Sequence, residues 1–201
     1  MILCGILELG HKNKNMNDTN IKEKNEGMTG TITVNRYRAG TLDKYLELTL
    51  SGKNAEAEIV LRDGWLGVAC RQHNLIVSSS GYGKNIIARR LASDNTYTGN
   101  VTHGEIGTGT NAPALTDIGL QTGTVRVAFQ TTTISNNIAT IRFFLSDATL
   151  ANGTYTEFGT FIDGAAGFGT GQLFNRALFA GSGYVKAAGE DTSIDVEFDI
   201  N

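Results

Sequence analysis

A chain of 201 residues, 40% of them hydrophobic, is long enough to bury the core of one domain without help from disulfides or metals. Its net charge of −3 disfavours a nucleic-acid binder, which would carry a basic stripe, and no apolar run is long enough to insert into a membrane. With 25 glycines, one proline and only 18% charged residues, the composition indicates short strands joined by tight turns and a surface of neutral polar groups.

The N-terminus differs in texture from the rest of the chain. Residues 1–10 are apolar, whereas residues 11–30 are rich in Lys, Asn and Glu and contain few apolar residues. This pattern predicts an N-terminal arm or linker over residues 1–30 that becomes ordered on a partner, followed by a β domain over residues 31–201. Cys4 and Cys70 are expected to be free thiols, with a disulfide between them as the alternative.

The first half of the predicted domain contains strand-like and helix-like segments. Residues 44–52 place Leu46, Leu48 and Leu50 at alternate positions, which predicts a strand. Residues 55–79 are interpreted as two or three strands interrupted by a hairpin at Asp63-Gly64. The one helix is predicted over residues 84–95.

Within that helix, Ile87 and Leu91 are four positions apart and are expected to share an apolar face, with Ile86 at its edge.

The second half alternates clearly. Residues 124–132 and 137–147 each place apolar side chains on one face, and residues 192–201 alternate Ile, Val and Phe with Asp and Glu. Eight to ten short strands with regular turns are typical of a β-sandwich or barrel. We predict an all-β, antiparallel, jelly-roll-like β-sandwich with one short helix and a flexible N-terminal arm.

The segment Gly104–Asp117, GEIGTGTNAPALTD, superficially resembles a phosphate-binding loop. A dinucleotide fingerprint needs a helix directly after the glycines and an acid about 20 residues further on. Here Pro113 follows, and no acid stands at the required distance. We therefore interpret Gly107 and Gly109 as turn glycines with positive φ, and Pro113 as part of an extended crossing to the next strand. Thr108, Thr110, Asn111 and Asp117 are expected to satisfy backbone groups of this turn through their side chains.

No group of residues has the spacing of a catalytic or metal site. His11, His73 and His103 lack metal-ligand spacing, and the Ser-rich stretch at residues 78–83 lacks a nucleophile elbow. Three acids that a glycosidase could use are scattered along the chain, namely Asp147, Glu157 and Asp163. The sequence predicts no enzyme activity, no cofactor and no metal.

Two charged residues lie within largely apolar strands. Glu157 interrupts TYTEFGTFI and Arg176 interrupts GQLFNRALF. Because buried charges are usually paired, our hypothesis is that Glu157 and Arg176 meet across neighbouring strands and fix their register. The alternative is that each faces solvent.

Four segments in fixed order carry a resemblance. HNLIVSSSGYGKNIIARRLA, GEIGTGTNAPALTDIGLQT, TYTEFGTFIDG and GQLFNRALF, spread over about residues 60–180, resemble a group of tailed-bacteriophage virion proteins described as tail, tail-fibre or collar-associated. The resemblance implies a non-enzymatic structural role in the virion, with other virion proteins and copies of the chain itself as partners.

The expected function is therefore a structural component that forms a symmetric oligomer through its β faces and its N-terminal arm. The alternative is a module that binds host-surface glycan by stacking exposed aromatic side chains on sugar rings. Four tyrosines in or near turns are the candidates for that contact: Tyr82, Tyr97, Tyr155 and Tyr184.

Overall fold

In a computed structural model of the chain, residues 27–200 are described. The predicted arm up to residue 26, with His11, Cys4 and its alternative disulfide to Cys70, lies outside these residues. The strands of the described part are β1 Thr29–Arg38, β2 Trp65–Ile76, β3 Val101–Gly107, β4 Gly123–Ser135, β5 Ile138–Leu145, β6 Gly153–Tyr155, β7 Glu157–Ile162, β8 Gln172–Leu178, β9 Tyr184–Lys186 and β10 Glu190–Asp199. Its helices are α1 Thr41–Leu50, α2 Asn54–Gly64 and α3 Lys84–Leu91.

Eight strands form a closed antiparallel barrel in the order β1–β10–β5–β4–β3–β7–β8–β2, and β6 pairs with β9 in a small separate sheet. The all-β antiparallel class is confirmed, but the predicted sandwich is wrong. Alternating apolar and polar residues place one face of each strand in the core of a sandwich and of a barrel alike, so this pattern does not distinguish the two architectures. Closure depends on β1, which pairs with β10 on one side and with β2 on the other.

Two of the three helices were missed by the strand predictions. The segment predicted as a strand with Leu46, Leu48 and Leu50 on one face is α1, and the next predicted strand is α2, so Asp63-Gly64 ends a helix rather than forming a hairpin. The apolar residues that α1 buries, Leu42, Tyr45 and Leu48, follow a helical spacing that overlaps the alternation. Leu50 is 89% exposed.

The helix pair covers the outside of the barrel. Side chains of α1 and α2 pack with Tyr37 of β1 and Phe144 of β5 in a second apolar cluster. Asp191 of β10 accepts a hydrogen bond from the backbone N–H of Leu42 and from that of Asp147, which ties α1 and the loop after β5 to the barrel.

The predicted helix α3 is present, but it presents a different face to the core. Ile86 is fully buried, whereas Leu91 is 84% exposed. The predicted alternation of the last strand is confirmed for Ile194, Val196 and Phe198, which lie in the core, whereas Ile200 lies beyond β10 and is 54% exposed. No helix in the described part of the chain is long and apolar enough to cross a membrane.

Cys70 lies half-buried on β2, and burial raises the pKa of its thiol to about 11. Because the thiolate is the nucleophile, a Cys4→Ser variant should react with Ellman's reagent at pH 8 on the order of 100-fold more slowly when native than when unfolded in denaturant. The native rate should continue to rise up to about pH 11. Equal native and unfolded rates would contradict this assignment.

Candidate functional site

Several buried charged side chains lie on the outer face of the barrel wall, beneath the loop of residues 108–122. Along β3 the side chain of Ile106 points into the core, so its neighbour Glu105 points outward. Glu157 on β7 and Arg176 on β8 share this outer face. The loop closes over them, and its base is fixed by the Thr108 N–H, which donates to the carbonyl of Thr122 at 2.9 Å.

Glu157 and Arg176 meet across β7 and β8, as the sequence hypothesis proposed. The Nη2 atom of Arg176 lies 2.8 Å from Oε2 of Glu157, and the Arg176 Nε donates to the same oxygen at 2.9 Å. Both side chains are almost fully buried. The alternative that each faces solvent is therefore wrong.

The Glu157 carboxylate also organises the loop. Its Oε1 accepts hydrogen bonds from the backbone N–H groups of Gly109 at 2.9 Å and Thr122 at 2.7 Å, and its Oε2 accepts one from Gln121 at 3.1 Å. Three backbone amides and one guanidinium thus surround a single carboxylate. Such charge-assisted bonds fix both ends of the loop against β7.

Arg176 extends the network to the middle of the loop. Its Nη1 donates to Asp117 Oδ2 at 2.8 Å, and its Nη2 donates to the carbonyl of Asn111 at 2.9 Å. Asp117 also accepts from the backbone N–H of Ala114, the residue after the half-buried Pro113. Asp117 therefore satisfies a backbone group of the turn, as expected.

Gly107 and Gly109 allow neighbouring atoms to approach the backbone closely. The predicted positive φ is wrong for both. Neither Gly107 nor Gly109 is among the positive-φ glycines of the described residues. A Cβ on Gly109 would collide with the Glu157 carboxylate and would lie 2.6 Å from the Cβ of Gln121. A Cβ on Gly107 would collide with the carbonyl of Thr122.

The amides that a phosphate would need are used within the chain. The N–H of Gly109 donates to Glu157, and those of Thr110 and Asn111 donate to Gln121 Oε1, each at 2.8 Å. Gln121 performs the role expected of the Thr108, Thr110 and Asn111 side chains. No helix follows the glycines before β4. The arrangement is that of a structural loop.

A second buried ion pair lies beside the first. Arg126 Nη1 of β4 donates to Glu105 Oε2 at 2.9 Å, and the guanidinium carbon of Arg126 lies 4.1 Å from the centre of the Phe161 ring. Burial raises the pKa of the Glu105 carboxyl, against the opposing effect of Arg126. Burial and Arg126 lower the pKa of the neighbouring His103.

The Glu105–Arg126 pair and Gln121 were missed from the sequence. Glu105 lies in the strand VTHGEIG, which also contains Thr and His, so it does not stand out from an apolar strand as Glu157 does. Gln121 carries no signal either, because polar residues in loops are common.

The four candidate tyrosines do not form one exposed surface. Tyr155 and Tyr184 are buried, and their hydroxyls bond to the Ala151 carbonyl and the Thr192 hydroxyl. Burial raises the pKa of Tyr184 to about 12. Tyr97 packs against the barrel core. Burial therefore removes Tyr155 and Tyr184 from the candidate glycan contacts, whereas Tyr97 is half-buried and Tyr82 lines a cavity on the outer face.

The acids considered for catalysis belong to separate local networks. Asp147 binds the buried ammonium of Lys186, and that hydrogen bond lowers the pKa of Asp147. Asp163 accepts from the backbone N–H of Thr98 at 2.9 Å. Glu157 is enclosed by the loop. Among residues 27–200, no three His, Cys, Asp or Glu side chains are grouped to hold a metal.

An apolar groove of about 530 Å³ opens at the end of the barrel where the described chain begins. The β4–β5 hairpin extends past the barrel here, because β4 pairs with β3 only up to Ala128 and continues along β5 to Ser135. The groove is lined mainly by apolar side chains, among them Met28, Phe129, Ile134, Phe174, Phe198 and Ile200.

Comparison with known proteins gives this chain no relative to which it can be assigned: no family model, no curated protein and no solved structure matches it.

Proposed function

We propose that the chain is a non-enzymatic structural component of a tailed-phage particle, and that it assembles as a symmetric oligomer through surfaces of the β-barrel and its N-terminal arm. The four sequence segments that resemble phage virion proteins, and that occur in the same order, support a place in a phage particle. The observation that carries the assembly role is the exposed apolar groove beside Met28. Detection of the chain by mass spectrometry in purified phage particles tests that location.

The groove has the features of a protein-docking surface. Ile134 is 81% exposed, Ile200 54% and Phe129 39%, so water contacts a continuous apolar surface. Such patches mark interaction sites. Within the described residues, β4 beyond Ala128 has no strand partner on the side facing β3. An extended segment can pair with that free edge while its side chains enter the groove.

The proposed occupant is the apolar segment of residues 1–9, MILCGILEL, from a neighbouring copy. Residues 10–26 connect this segment to the groove end of its own barrel. At about 3.3–3.6 Å per residue, this connection can extend to roughly 60 Å, enough to reach an adjacent subunit. Burial of large apolar side chains contributes about 1.5–3 kcal/mol each, which offsets the cost of ordering the segment.

Light scattering on the full chain and on two variants tests this assembly. One variant lacks residues 1–26, which leaves β1 intact from Thr29 onwards. The other carries Ile134→Asp, which places a charge in the groove. We expect a defined oligomer for the full chain and a lower mass for both variants.

Val185→Asp is the matched control, because Val185 is 59% exposed on β9 and does not line the groove. This variant should keep the oligomer. A full chain that is monomeric would overturn the proposal, including the case in which its arm occupies its own groove. An oligomer that persists after both changes would also overturn it.

The second candidate function, recognition of host-surface glycan, has one observation in its favour. The cavity that contains Tyr82 combines aromatic side chains with a buried carboxylate.

A further inference from the structure

A cavity of about 390 Å³ lies on the outer face of the barrel, on the side of the Glu105–Arg126 pair. This volume falls in the range of about 300–1,000 Å³ that is typical of small-molecule sites. Its walls come from β3, β7, the start of β4, the loops that precede β4 and β8, and the segment before α3. Four of its lining residues are glycines, which leave the space open: Gly119, Gly123, Gly169 and Gly171.

Aromatic rings form the apolar part of the cavity. Phe161 lies buried in its wall, Tyr82 is half-buried, and Phe168 is 56% exposed. The face of an exposed phenyl ring carries partial negative charge. It attracts the positively polarised C–H groups of a ligand that packs against it. The cavity thus offers a stacking surface next to a polar group.

The polar group is the carboxylate of Glu105, which is 5% exposed. Its Oε2 accepts from Arg126, whereas its Oε1 accepts no hydrogen bond from any of the described residues. A Cβ on Gly123, itself a lining residue, would collide with Oε1, so this oxygen lies at the cavity wall. A ligand that donates a hydrogen bond would satisfy it.

The charge of the ligand follows from Arg126. The guanidinium of Arg126 already neutralises Glu105 and lies behind it, with only 1% of its side chain exposed. A cationic ligand at Oε1 would be repelled by Arg126, and an anionic ligand would be repelled by Glu105. A neutral hydroxyl donor avoids both costs.

We propose that this cavity binds one ring of a neutral sugar, with a ring hydroxyl donating to Glu105 Oε1 and the C–H face of the ring packed on Phe168. The site is separate from the apolar groove, and the proposal does not depend on assembly.

Saturation-transfer NMR with D-glucose, D-galactose, N-acetyl-D-glucosamine and L-rhamnose, followed by titration of any sugar that binds, tests the site on the full chain. We expect at least one of these sugars to bind and Phe168→Ala to weaken its binding at least tenfold. Glu105→Gln should weaken binding less than Phe168→Ala, because the hydroxyl loses a charged acceptor but can still accept from the amide nitrogen that Arg126 turns towards the cavity. Trp65→Ala, which removes a 52% exposed aromatic ring elsewhere, should leave binding unchanged.

Absence of binding by all four sugars would overturn the proposal. It would also be overturned if Phe168→Ala, with an unchanged circular dichroism spectrum, bound sugar as tightly as the parent chain. Competition by methylammonium would show that the site selects a cation and would contradict the role given to Arg126.

Discussion

Glu157→Gln should destabilise the protein by about 3–5 kcal/mol, the usual cost of breaking a buried ion pair by removing one partner. The glutamine keeps the shape of the side chain but leaves Arg176 as a buried, unneutralised cation. Both Glu157 oxygens accept hydrogen bonds in the native structure. The amide nitrogen of the glutamine, which is a donor, would therefore face other donors. Urea unfolding measures the change in free energy.

Glu197→Gln is the matched control for this prediction. Glu197 pairs with Arg71 at 3.4 Å on the barrel surface, where both side chains are substantially exposed, so its loss should cost less than about 1 kcal/mol. In the Glu157 variant, hydrogen exchange should also accelerate at the amides of Gly109, Gln121 and Thr122. A Glu157 variant as stable as the Glu197 variant would show that the network does not hold the loop.

Gly109→Val is expected to cost roughly 3 kcal/mol or more, from overpacking and from loss of the hydrogen bond to a charged acceptor. The new side chain would collide with the Glu157 carboxylate and with Gln121, two of the groups that hold the loop in place. Thermal and urea unfolding should both show the loss.

Gly119→Val lies in the same loop and supplies the comparison. A Cβ on Gly119 meets nothing within 4 Å, and Gly119 has no positive φ, so this change should cost less than about 1 kcal/mol. Similar losses at the two positions would show that close approach to Glu157 is not what requires glycine at position 109. A folded Gly109→Val protein that had lost an ATP affinity present in the parent chain would restore the phosphate-loop interpretation.

Alternation predicted β10 well because its apolar residues face the core, whereas β7 and β8 are buried on both faces. In β10, Ile194, Val196 and Phe198 enter the core, and the intervening acids do not. The same alternation failed in α1, where Leu46, Leu48 and Leu50 mimic a strand while Leu42, Tyr45 and Leu48 make the helical contacts. Over a ten-residue segment, the helical period and the strand period share several positions, so the pattern of apolar residues alone does not separate a helix from a strand.

The pairing of Glu157 with Arg176 was accessible from the sequence because a charge in an apolar strand requires a partner. The role of Gly109 was not, since it depends on how closely the loop approaches a residue 48 positions further along the chain. The cavity beside Glu105 was equally inaccessible, because loops from distant parts of the sequence enclose it.

The pairing of β1 with β10 has a consequence for biosynthesis. Thr29 lies opposite Asp199, so the first and last strands of the barrel are hydrogen-bonded neighbours. A ribosome synthesises β10 after the other barrel strands, and until β10 emerges β1 and β5 each lack one of their two partners. Closure therefore requires that β10 has emerged, and contacts so distant in sequence predict slow folding. During that interval the nascent chain exposes unpaired strand edges, which makes it a substrate for chaperones.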